Sequence, residues 1–319
     1  MFSSDFKVYN KYSNAVYEIL TNYTDKIEKF SIDECFMDMT GCLLNYTSLD
    51  EAAREISERI YRELGFTVNI GMSSNKLLAK MASDFEKPNK IHTLYKHEIG
   101  TKMWNLPVNE LFMVGKKSVE KLRAMRINTI GDLANTDRDK LVKHFGKFGS
   151  QMHNYANGID DSEVIHLRQK PKGVGNETTF SKDISDYNKL CEYLHGLAEQ
   201  TMYRLRKENM SATVVAVKIK TNKFQLFTKQ RKLQVATDNT KEVYEIAKEL
   251  LKEVLEKHSL RLIGIRVDGL IDNDAVQISF FDSENRDKQK KLDNTIDKLK
   301  DKFGYDTIGK AREIKKNEL

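Results

Sequence analysis

The order of helical and extended segments in the second half of the chain constrains its fold more than any other feature. Alternating or β-branched runs predict strands at VGNETTF, TVVAVKIKT, FQLFTKQRKLQV and RLIGIRVDGL. Helical periodicity predicts a helix over 186–208, after the first strand, and another over 240–257, before the last. The order strand, helix, strand, strand, helix, strand predicts a four-stranded antiparallel sheet with two helices on one face.

The first half has two different patterns. Through residue 95, helical stripes alternate with short strands, which is typical of an α/β or α+β domain. Ser48 and Glu51 form a capping-box signature, and Ser73 or Ser74 is predicted to cap a helix in SSNKLLAKMASDF. Residues 101–160 indicate short helices separated by glycines. The last forty residues are charge-rich and predict one or two helices on a tether.

Composition excludes several classes of protein. The chain has 319 residues, 39% of them hydrophobic, which is enough for two or three cores. Its 53 Lys and Arg against 47 Asp and Glu permit a polyanionic partner without requiring one. Its three cysteines have no CxxC spacing, which argues against a zinc site or disulfides. The start does not resemble a signal peptide, and no apolar run approaches the roughly 18 residues of a membrane span, so we expect a cytoplasmic protein without membrane contact.

Two adjacent acids, Asp33 and Glu34, lie in the stretch SIDECFMDMT, which reads as a bend followed by a strand. At the tip of a hairpin both carboxylates can turn to one side, where they repel each other unless a cation lies between them. Mg²⁺ is held by one or two protein carboxylates plus phosphate oxygens, which fits this pair. Acidic pairs are also common on solvated strands, and by themselves these residues leave that alternative open.

Three further features point to phosphates. Lys87, beside Pro88 between a helix and a strand, could bind a phosphate or be a solvated loop lysine. ELFMVGKKSVEKL and KHFGKFGSQM each place Gly-Lys between helices, as in helix-hairpin-helix elements that bind DNA phosphates, or as in a tight interhelical turn. Residues 211–237 carry six Lys and Arg and no acid; alternation predicts Val215, Val217 and Ile219 inward, with Lys218 and Lys220 on an open face. A basic face of this kind favours binding of a nucleic acid, with a merely solvated sheet face as the alternative.

Taken together, these segments resemble a Y-family translesion DNA polymerase, of the DNA polymerase IV and UmuC-like (ImpB/MucB/SamB) kind, over essentially the whole chain. SIDECFMD and GMSSNKLLAKMASDFEKPNK resemble its palm motifs, and the two Gly-Lys segments resemble its thumb. KGVGNETTF resembles the start of its little finger, and QISFF resembles the peptide by which bacterial members bind the sliding clamp.

The resemblance implies an α+β protein of several domains. These are a partial ferredoxin-like palm over 1–100, an all-helical thumb over 101–168, a βαββαβ little finger over 169–272, and a charged tail with the clamp peptide over 273–319. It implies synthesis of DNA past damaged bases by two-metal nucleotidyl transfer, with two Mg²⁺ ions in the complete site. The implied partners are primer–template DNA, an incoming dNTP and the bacterial sliding clamp, and the protein is expected to be a monomer.

The same resemblance implies roles for individual residues. Asp33 and Glu34 would be catalytic metal ligands, and Lys87 would neutralise the nucleotide triphosphate. The clamp would bind Gln277, Ile278, Phe280 and Phe281. The residues implied to bind DNA are Gly115, Lys116, Lys117, Gly146, Lys147, Gly149, Thr179, Lys229 and Arg231.

The chain departs from the family in ways that leave a second hypothesis open. It starts partway into the palm, so the family's opening strand, with a further metal-binding Asp, and its fingers are missing, and this chain alone is expected to be inactive or nearly so. The alternative is a catalytically inactive fragment that binds DNA and the clamp. A third possibility, another phosphoryl-transfer enzyme such as a nucleotide cyclase, has no use for the two hairpins or for QISFF. Met113 and Arg126 stand where many relatives have glycine.

Overall fold

A computed structural model describes residues 5–42, 46–167, 169–255, 259–273 and 283–305, and over 283–287 it describes the backbone alone. The chain divides into two compact units, Met1–Arg168 and Gln169–Leu319. Over the described ranges, none of the helices combines the length and the apolar character that crossing a membrane requires.

The first unit is mostly helical. Its α-helices are α1 Phe6–Leu20, α2 Leu49–Leu64, α3 Lys76–Ser83, α4 Ile99–Lys102, α5 Lys116–Ala124, α6 Ile130–Ala134, α7 Arg138–Phe145 and α8 Lys147–Ala156. Its strands form two separate pairs: β1 (Ile27–Lys29) is antiparallel to β2 (Cys35–Met37), and β3 (Ile70–Met72) is parallel to β4 (Ile91–Thr93). Mixed pairs covered by helices match the predicted α+β character of this part of the chain.

Two apolar clusters stabilise this unit. One joins α1, α2 and β1 through Ile19, Leu20, Tyr23, Ile27, Ile56 and Ile60. The other joins α3 to the short helices through buried side chains that include Leu77, Leu78, Leu94, Met103, Leu122, Ile130, Leu133 and Leu141. Full burial of such a side chain contributes about 1.5–3 kcal/mol, so these clusters are the main reason why the short helices keep their positions.

Helix starts in this unit follow the sequence in one case and differ in another. Ser48 accepts the N–H of Glu51 at 3.2 Å, so its predicted role as the N-cap of α2 is confirmed, but the Glu51 carboxylate accepts the N–H of Thr47 at 2.9 Å rather than that of Ser48. The predicted cap of α3 is wrong: Asn75, not Ser73 or Ser74, accepts the N–H of Leu78 at 2.9 Å. The Ser73 hydroxyl instead donates to the carbonyl of Leu94.

The second unit has the predicted strand–helix order. Its elements are β5 Gly173–Ile184, α9 Tyr187–Lys207, β6 Met210–Thr221, β7 Leu226–Thr237, α10 Thr240–Leu255, β8 Leu260–Asp272 and α11 Ser283–Phe303. The sheet order is β5-β8-β6-β7, and every neighbouring pair is antiparallel. The last strand therefore lies between the first two strands of the unit, and α9 and α10 pack on the same apolar face of the sheet.

Side-chain alternation on β6 is as predicted. Val215, Val217 and Ile219 have no exposed surface and lie in the core with α9 and α10. Lys218 and Lys220 alternate with them and are partly exposed. The other face of this sheet, which we call the open face, therefore carries basic side chains.

The charge-rich end of the chain contains α11, which the structure anchors to α9. The buried Arg206 side chain donates from Nε to Asp297 Oδ2 at 2.6 Å, and its Nη1 lies 3.6 Å from Asp293 Oδ2. Lys300, also buried, lies 3.4 Å from Glu199. Ion pairs thus hold this helix against α9.

Candidate active site and nucleic-acid interface

The two adjacent acids lie at the turn that joins β1 to β2. Residues 31–33 bend the chain, and the N–H groups of Phe30 and Ser31 both donate to the carbonyl of Glu34, at 3.0 and 3.2 Å. Asp33 is exposed, and its Oδ1 accepts the Ser31 hydroxyl at 2.6 Å. The predicted strand, bend and strand are therefore present, and the bend frees both carboxylates from strand alternation.

Glu34 has a charged partner on α3. Lys80 Nζ donates to Glu34 Oε1 at 2.7 Å and to Asp84 Oδ2 at 2.7 Å. Burial by itself would lower the pKa of the Lys80 ammonium, but its bonds to Asp84 and Glu34 outweigh burial and raise that pKa. Burial likewise raises the pKa of Asp84, and hydrogen bonds from Lys80 and Lys87 reverse the shift and lower it. The charges of Lys80 and Asp84 are therefore kept near neutral pH.

Lys87 belongs to the same cluster. Its Nζ lies 2.8 Å from Asp84 Oδ1, and its side chain is 57% exposed, so the ammonium group is accessible to a ligand. The peptide bond between Lys87 and Pro88 is cis. The structure thus brings Lys87 and Glu34, both predicted as site residues, to opposite ends of one ion-pair chain through Lys80 and Asp84.

Sequence reasoning missed Lys80 and Asp84. A signal existed, because the two residues are four apart on a helix in the run KLLAKMASD, where opposite charges can pair. Their contact with Glu34 depends on how α3 packs against the hairpin, which spacing alone does not give.

The donor set for a metal is small. Among the residues that the structure describes, no group of three or more His, Cys, Asp and Glu side chains is placed to hold a metal ion. Asp33 and Glu34 suffice for one Mg²⁺, which takes one or two carboxylates and completes its shell with water and phosphate oxygens.

The first Gly-Lys segment lies at the start of α5. Gly115 is the N-cap of this helix and makes no side-chain cap, and Lys116 and Lys117 are exposed beside it. The first N–H groups of a helix point toward its N-terminal end, where they can bind a phosphate. On the other side of the hairpin, before Gly115, the sequence indicated a helix, and the structure has a short 3₁₀ turn at Val108–Glu110.

The second segment joins α7 to α8. Gly146 has φ +61° and lies between the two helices, and Lys147 is exposed. Gly149 is buried, and a Cβ at this position would lie 2.2 Å from the carbonyl oxygen of Leu141. Because the Gly149 N–H already donates to Gly146 at 3.0 Å, this geometry favours a packing role, and a contact of Gly149 with DNA stays a prediction.

The structure separates the basic residues of the second unit between two faces. Directly opposed residues of an antiparallel pair share a face. Arg231 is opposite Val215 and Lys229 is opposite Val217, so both point to the helix side of the sheet. There Arg231 lies 2.5 Å from Glu249 and Lys229 lies 3.1 Å from Glu253, both on α10.

The open face has a mixed charge with a basic excess. It presents Lys218, Lys220 and Lys232, with Arg266 and Thr179 on the neighbouring strands. Two of its cations are paired: Lys218 lies 2.7 Å from Glu177, and Arg266 lies 2.8 Å from Asp268. Within the described parts of the chain, Lys220 and Lys232 form no ion pair.

The predicted clamp peptide, with Gln277, Ile278, Phe280 and Phe281, lies outside the described residues.

Comparison with known proteins identifies the family. The impB/mucB/samB family matches residues 1–84, the thumb domain of DNA polymerase iota matches 109–160, and the impB/mucB/samB C-terminal domain matches 171–280. DNA polymerase IV of Clostridium acetobutylicum is 43% identical over 318 residues, which cover 100% of this chain and 80% of that protein. DNA polymerase IV 1 of Bacillus subtilis is 35% identical, over 98% of this chain and 76% of that protein.

Solved structures agree on the fold. A Y-family DNA polymerase chimera of Dbh and Dpo4 superposes with a TM-score of 0.75 at 24% identity, over 84% of this chain and 78% of that chain. An insertion ternary complex of Dbh DNA polymerase superposes with a TM-score of 0.55 at 25% identity, over 84% and 78% of the two chains. These matches confirm the predicted α+β fold and its little-finger sheet. This chain therefore belongs to the impB/mucB/samB family, which is the Y-family of DNA polymerases that includes DNA polymerase IV.

Proposed function

We propose that this chain supports template-directed DNA synthesis, including synthesis past damaged bases, by transfer of a nucleotide from a dNTP to a primer end. The observation that carries the proposal is the 43% identity to a DNA polymerase IV over 100% of this chain and 80% of that protein. The reaction class is that of a DNA-directed DNA polymerase.

The hairpin between β1 and β2 is proposed as part of the active site. Asp33 and Glu34 would hold Mg²⁺, and bound Mg²⁺ would neutralise charge on the triphosphate. Lys87 would bind the triphosphate, since its ammonium group is exposed at the edge of the same charge cluster. Two ions are expected in the complete site, and the described residues contain no group of three or more His, Cys, Asp and Glu side chains placed to hold one.

DNA is the proposed partner of both units. In the first unit, Gly115, Lys116, Lys117, Gly146 and Lys147 would bind phosphates at helix N-termini. In the second unit, the open face with Thr179, Lys220 and Lys232 would contact the DNA backbone. Lys229 and Arg231 stay predicted ligands, and each would first have to leave its carboxylate on α10.

Three further proposals concern the surroundings of the enzyme. The QISFF segment would bind the bacterial sliding clamp as a short peptide in a groove. The protein would act as a monomer in the cytoplasm. Fluorescence anisotropy with a labelled QISFF peptide and purified clamp tests the first of these, because replacing Phe280 and Phe281 by Ala should abolish binding.

A second candidate function is a DNA- and clamp-binding module without chemistry. The observation that favours it is that, within the described residues, no three His, Cys, Asp or Glu side chains are placed to hold a metal ion. Such a module would bind DNA with a steep salt dependence, because phosphate contacts release counterions.

Primer extension separates the two candidates. The chain is incubated with Mg²⁺, dNTPs and a primer–template, undamaged or with an abasic site, and DNA binding is measured in parallel. Extension that disappears in Asp33→Asn, while DNA binding persists, supports the polymerase. DNA binding without extension supports the module. If the unmodified chain does not bind DNA, both the polymerase and the binding module are contradicted.

A further inference from the structure

A chain of alternating charges connects the proposed metal carboxylate to the proposed triphosphate lysine. Lys80 Nζ lies 2.7 Å from Glu34 and 2.7 Å from Asp84, and Lys87 Nζ lies 2.8 Å from the other oxygen of Asp84. Glu34 and Lys87 come from different parts of the chain, the β1–β2 turn and the segment after α3. The two residues between them, Lys80 and Asp84, are one helical turn apart.

Lys80 is the least exposed member of this chain of charges. Its side chain is 13% exposed, compared with 37% for Glu34 and 41% for Asp84. Two carboxylates, those of Glu34 and Asp84, enclose the Lys80 ammonium group, each at 2.7 Å. This ammonium group therefore stands beside Glu34 where a divalent cation would otherwise compensate that carboxylate.

We propose that Lys80 is a positioning residue that acts as the resident counter-cation of Glu34. It holds the carboxylate in place before a divalent cation binds, and it then moves away from Glu34 and remains paired with Asp84. This inference rests on the proposed function, because it takes Glu34 as a metal ligand. Asp84 acts through Lys80, since it offers the ammonium group a second partner.

The proposal predicts that removing the charge of Lys80 and removing the charge of Asp84 change the affinity for a divalent cation in opposite directions. Without the Lys80 charge, a divalent cation has no competitor at Glu34, and its affinity rises. Without the Asp84 charge, Lys80 has Glu34 as its remaining carboxylate partner, competes more strongly, and the affinity falls. If Asp84 acts through Lys80, removing Asp84 has no further effect once Lys80 is neutral.

Mn²⁺ serves as the probe in place of Mg²⁺, and the electron paramagnetic resonance signal of free Mn²⁺ gives its affinity for the full chain without DNA or nucleotide. We expect Lys80→Gln to tighten Mn²⁺ binding about threefold to tenfold, the range for removal of a part-buried charge next to a ligand. Asp84→Asn should weaken it by a similar factor. The double variant should match Lys80→Gln alone.

Two controls separate this role from general charge and from folding. Lys80→Arg keeps the charge and should retain the affinity of the unmodified chain. Lys29 lies in the same hairpin, and its Nζ donates to Asn14 Oδ1 at 2.9 Å. Lys29→Gln therefore removes a nearby lysine charge that has no contact with Glu34, and it should leave Mn²⁺ binding unchanged. Circular dichroism establishes that each variant is folded.

The outcomes distinguish this inference from the proposed function. If Asp33→Asn weakens Mn²⁺ binding but Lys80→Gln does not tighten it, the metal site stands and the role of Lys80 is wrong. An equal gain in Lys29→Gln, or additive effects in the double variant, would also overturn the role. If Asp33→Asn has no effect on Mn²⁺, the proposed metal site fails and the inference fails with it. Should Lys80→Gln not fold, an unchanged affinity in Asp84→Asn would still overturn the proposal.

Discussion

Met113 and Arg126 lie before and after α5, and both have a left-handed backbone, with φ +70° and +62°. Arg126 ends the helix in a Schellman motif: its N–H donates to Arg123, and the N–H of Ile127 donates to Leu122 at 3.0 Å. A side chain in this region of backbone space is disfavoured by about 1–2 kcal/mol. Both positions are exposed, so no packing compensates for the strain.

We therefore expect Met113→Gly and Arg126→Gly each to stabilise the first unit. The gain should be up to about 1 kcal/mol, because relief of the left-handed strain exceeds the added flexibility of the unfolded chain. Urea unfolding followed by the fluorescence of Trp104, the one tryptophan of the sequence, measures it. As a control, Arg123→Gly within α5 should cost about 1 kcal/mol. A loss of stability in both glycine variants would contradict the strain argument.

Gly149→Ala should destabilise the contact between α7 and α8. The new Cβ would lie 2.2 Å from a backbone oxygen of Leu141, which the flexible end of a side chain cannot relieve. Overpacking of this kind costs about 1–3 kcal/mol. Gly100→Ala is the matched control, because its Cβ would meet only Trp104 at 3.9 Å. The same fluorescence assay should show a lower urea midpoint for Gly149→Ala alone.

Arg206→Gln should release α11 from the second unit. The change leaves the buried Asp293 and the partly buried Asp297 without their cation, and loss of one partner of a buried ion pair typically costs about 3–5 kcal/mol. Hydrogen exchange or limited proteolysis should then show opening within residues 283–303. Lys207→Gln removes a half-exposed partner of Asp301 and should cost less than about 1 kcal/mol. Equal protection of α11 in both variants would refute the anchoring role of Arg206.

Acid should destabilise the first unit partly through Asp132. Hydrogen bonds from the N–H groups of Thr129 and Asn128 lower the pKa of this carboxyl from its ordinary 3.8. Because the folded pKa lies below the unfolded one, the stabilisation is complete above the unfolded pKa and is lost as the pH falls through the folded pKa. When the free energy of unfolding is measured from pH 7 down to about pH 2, it should decrease once the pH is below about 4. Asp132→Asn should be less stable at neutral pH and should show a shallower acid decline.

DNA binding should depend on the open face of the second unit. Replacing Lys220 and Lys232 by Gln should weaken binding alike on unrelated sequences and reduce the salt slope by about 2, one for each lost phosphate contact. Replacing Lys229 and Arg231 should weaken binding less, because the ion pairs with α10 must break before these side chains reach a phosphate. Anisotropy titrations at several salt concentrations measure both slopes. A larger effect of the second pair would place the DNA on the helix side of β7 instead.

Local patterns predicted much of this fold. Alternation on β6 correctly separated Val217 from Lys218, because one face of that strand is fully buried. The Ser48 cap followed from its spacing to Glu51. The cap of α3 was harder, since Ser73, Ser74 and Asn75 are consecutive residues that can all accept a backbone N–H, and packing decides among them.

Contacts between distant segments were not predictable from patterns. Lys229 and Arg231 belong to a basic run, but their orientation depends on the pairing of β7 with β6, and a shift of one residue would move them to the other face. The contact of Lys80 with Glu34 depends on the packing of a helix against a turn. The adjacent acids Asp33 and Glu34 stood out because the bend that carries them is a local feature of the sequence. Lys80 and Asp84 were missed because they contact Glu34 across a large separation in sequence.

The position of β8 has a consequence for synthesis on the ribosome. The last of the described strands, Leu260–Asp272, occupies an inner place in its sheet and pairs with both β5 and β6. Until β8 emerges from the ribosome, β5 has no partner strand in the described sheet, and the apolar faces of α9 and α10 cover an incomplete sheet. Such long-range pairing is slow and favours folding after translation. A ribosome that stalls before residue 260 would therefore expose a second unit that lacks β8 and is a substrate for chaperones. All residues of the first unit, Met1–Arg168, would already have been made.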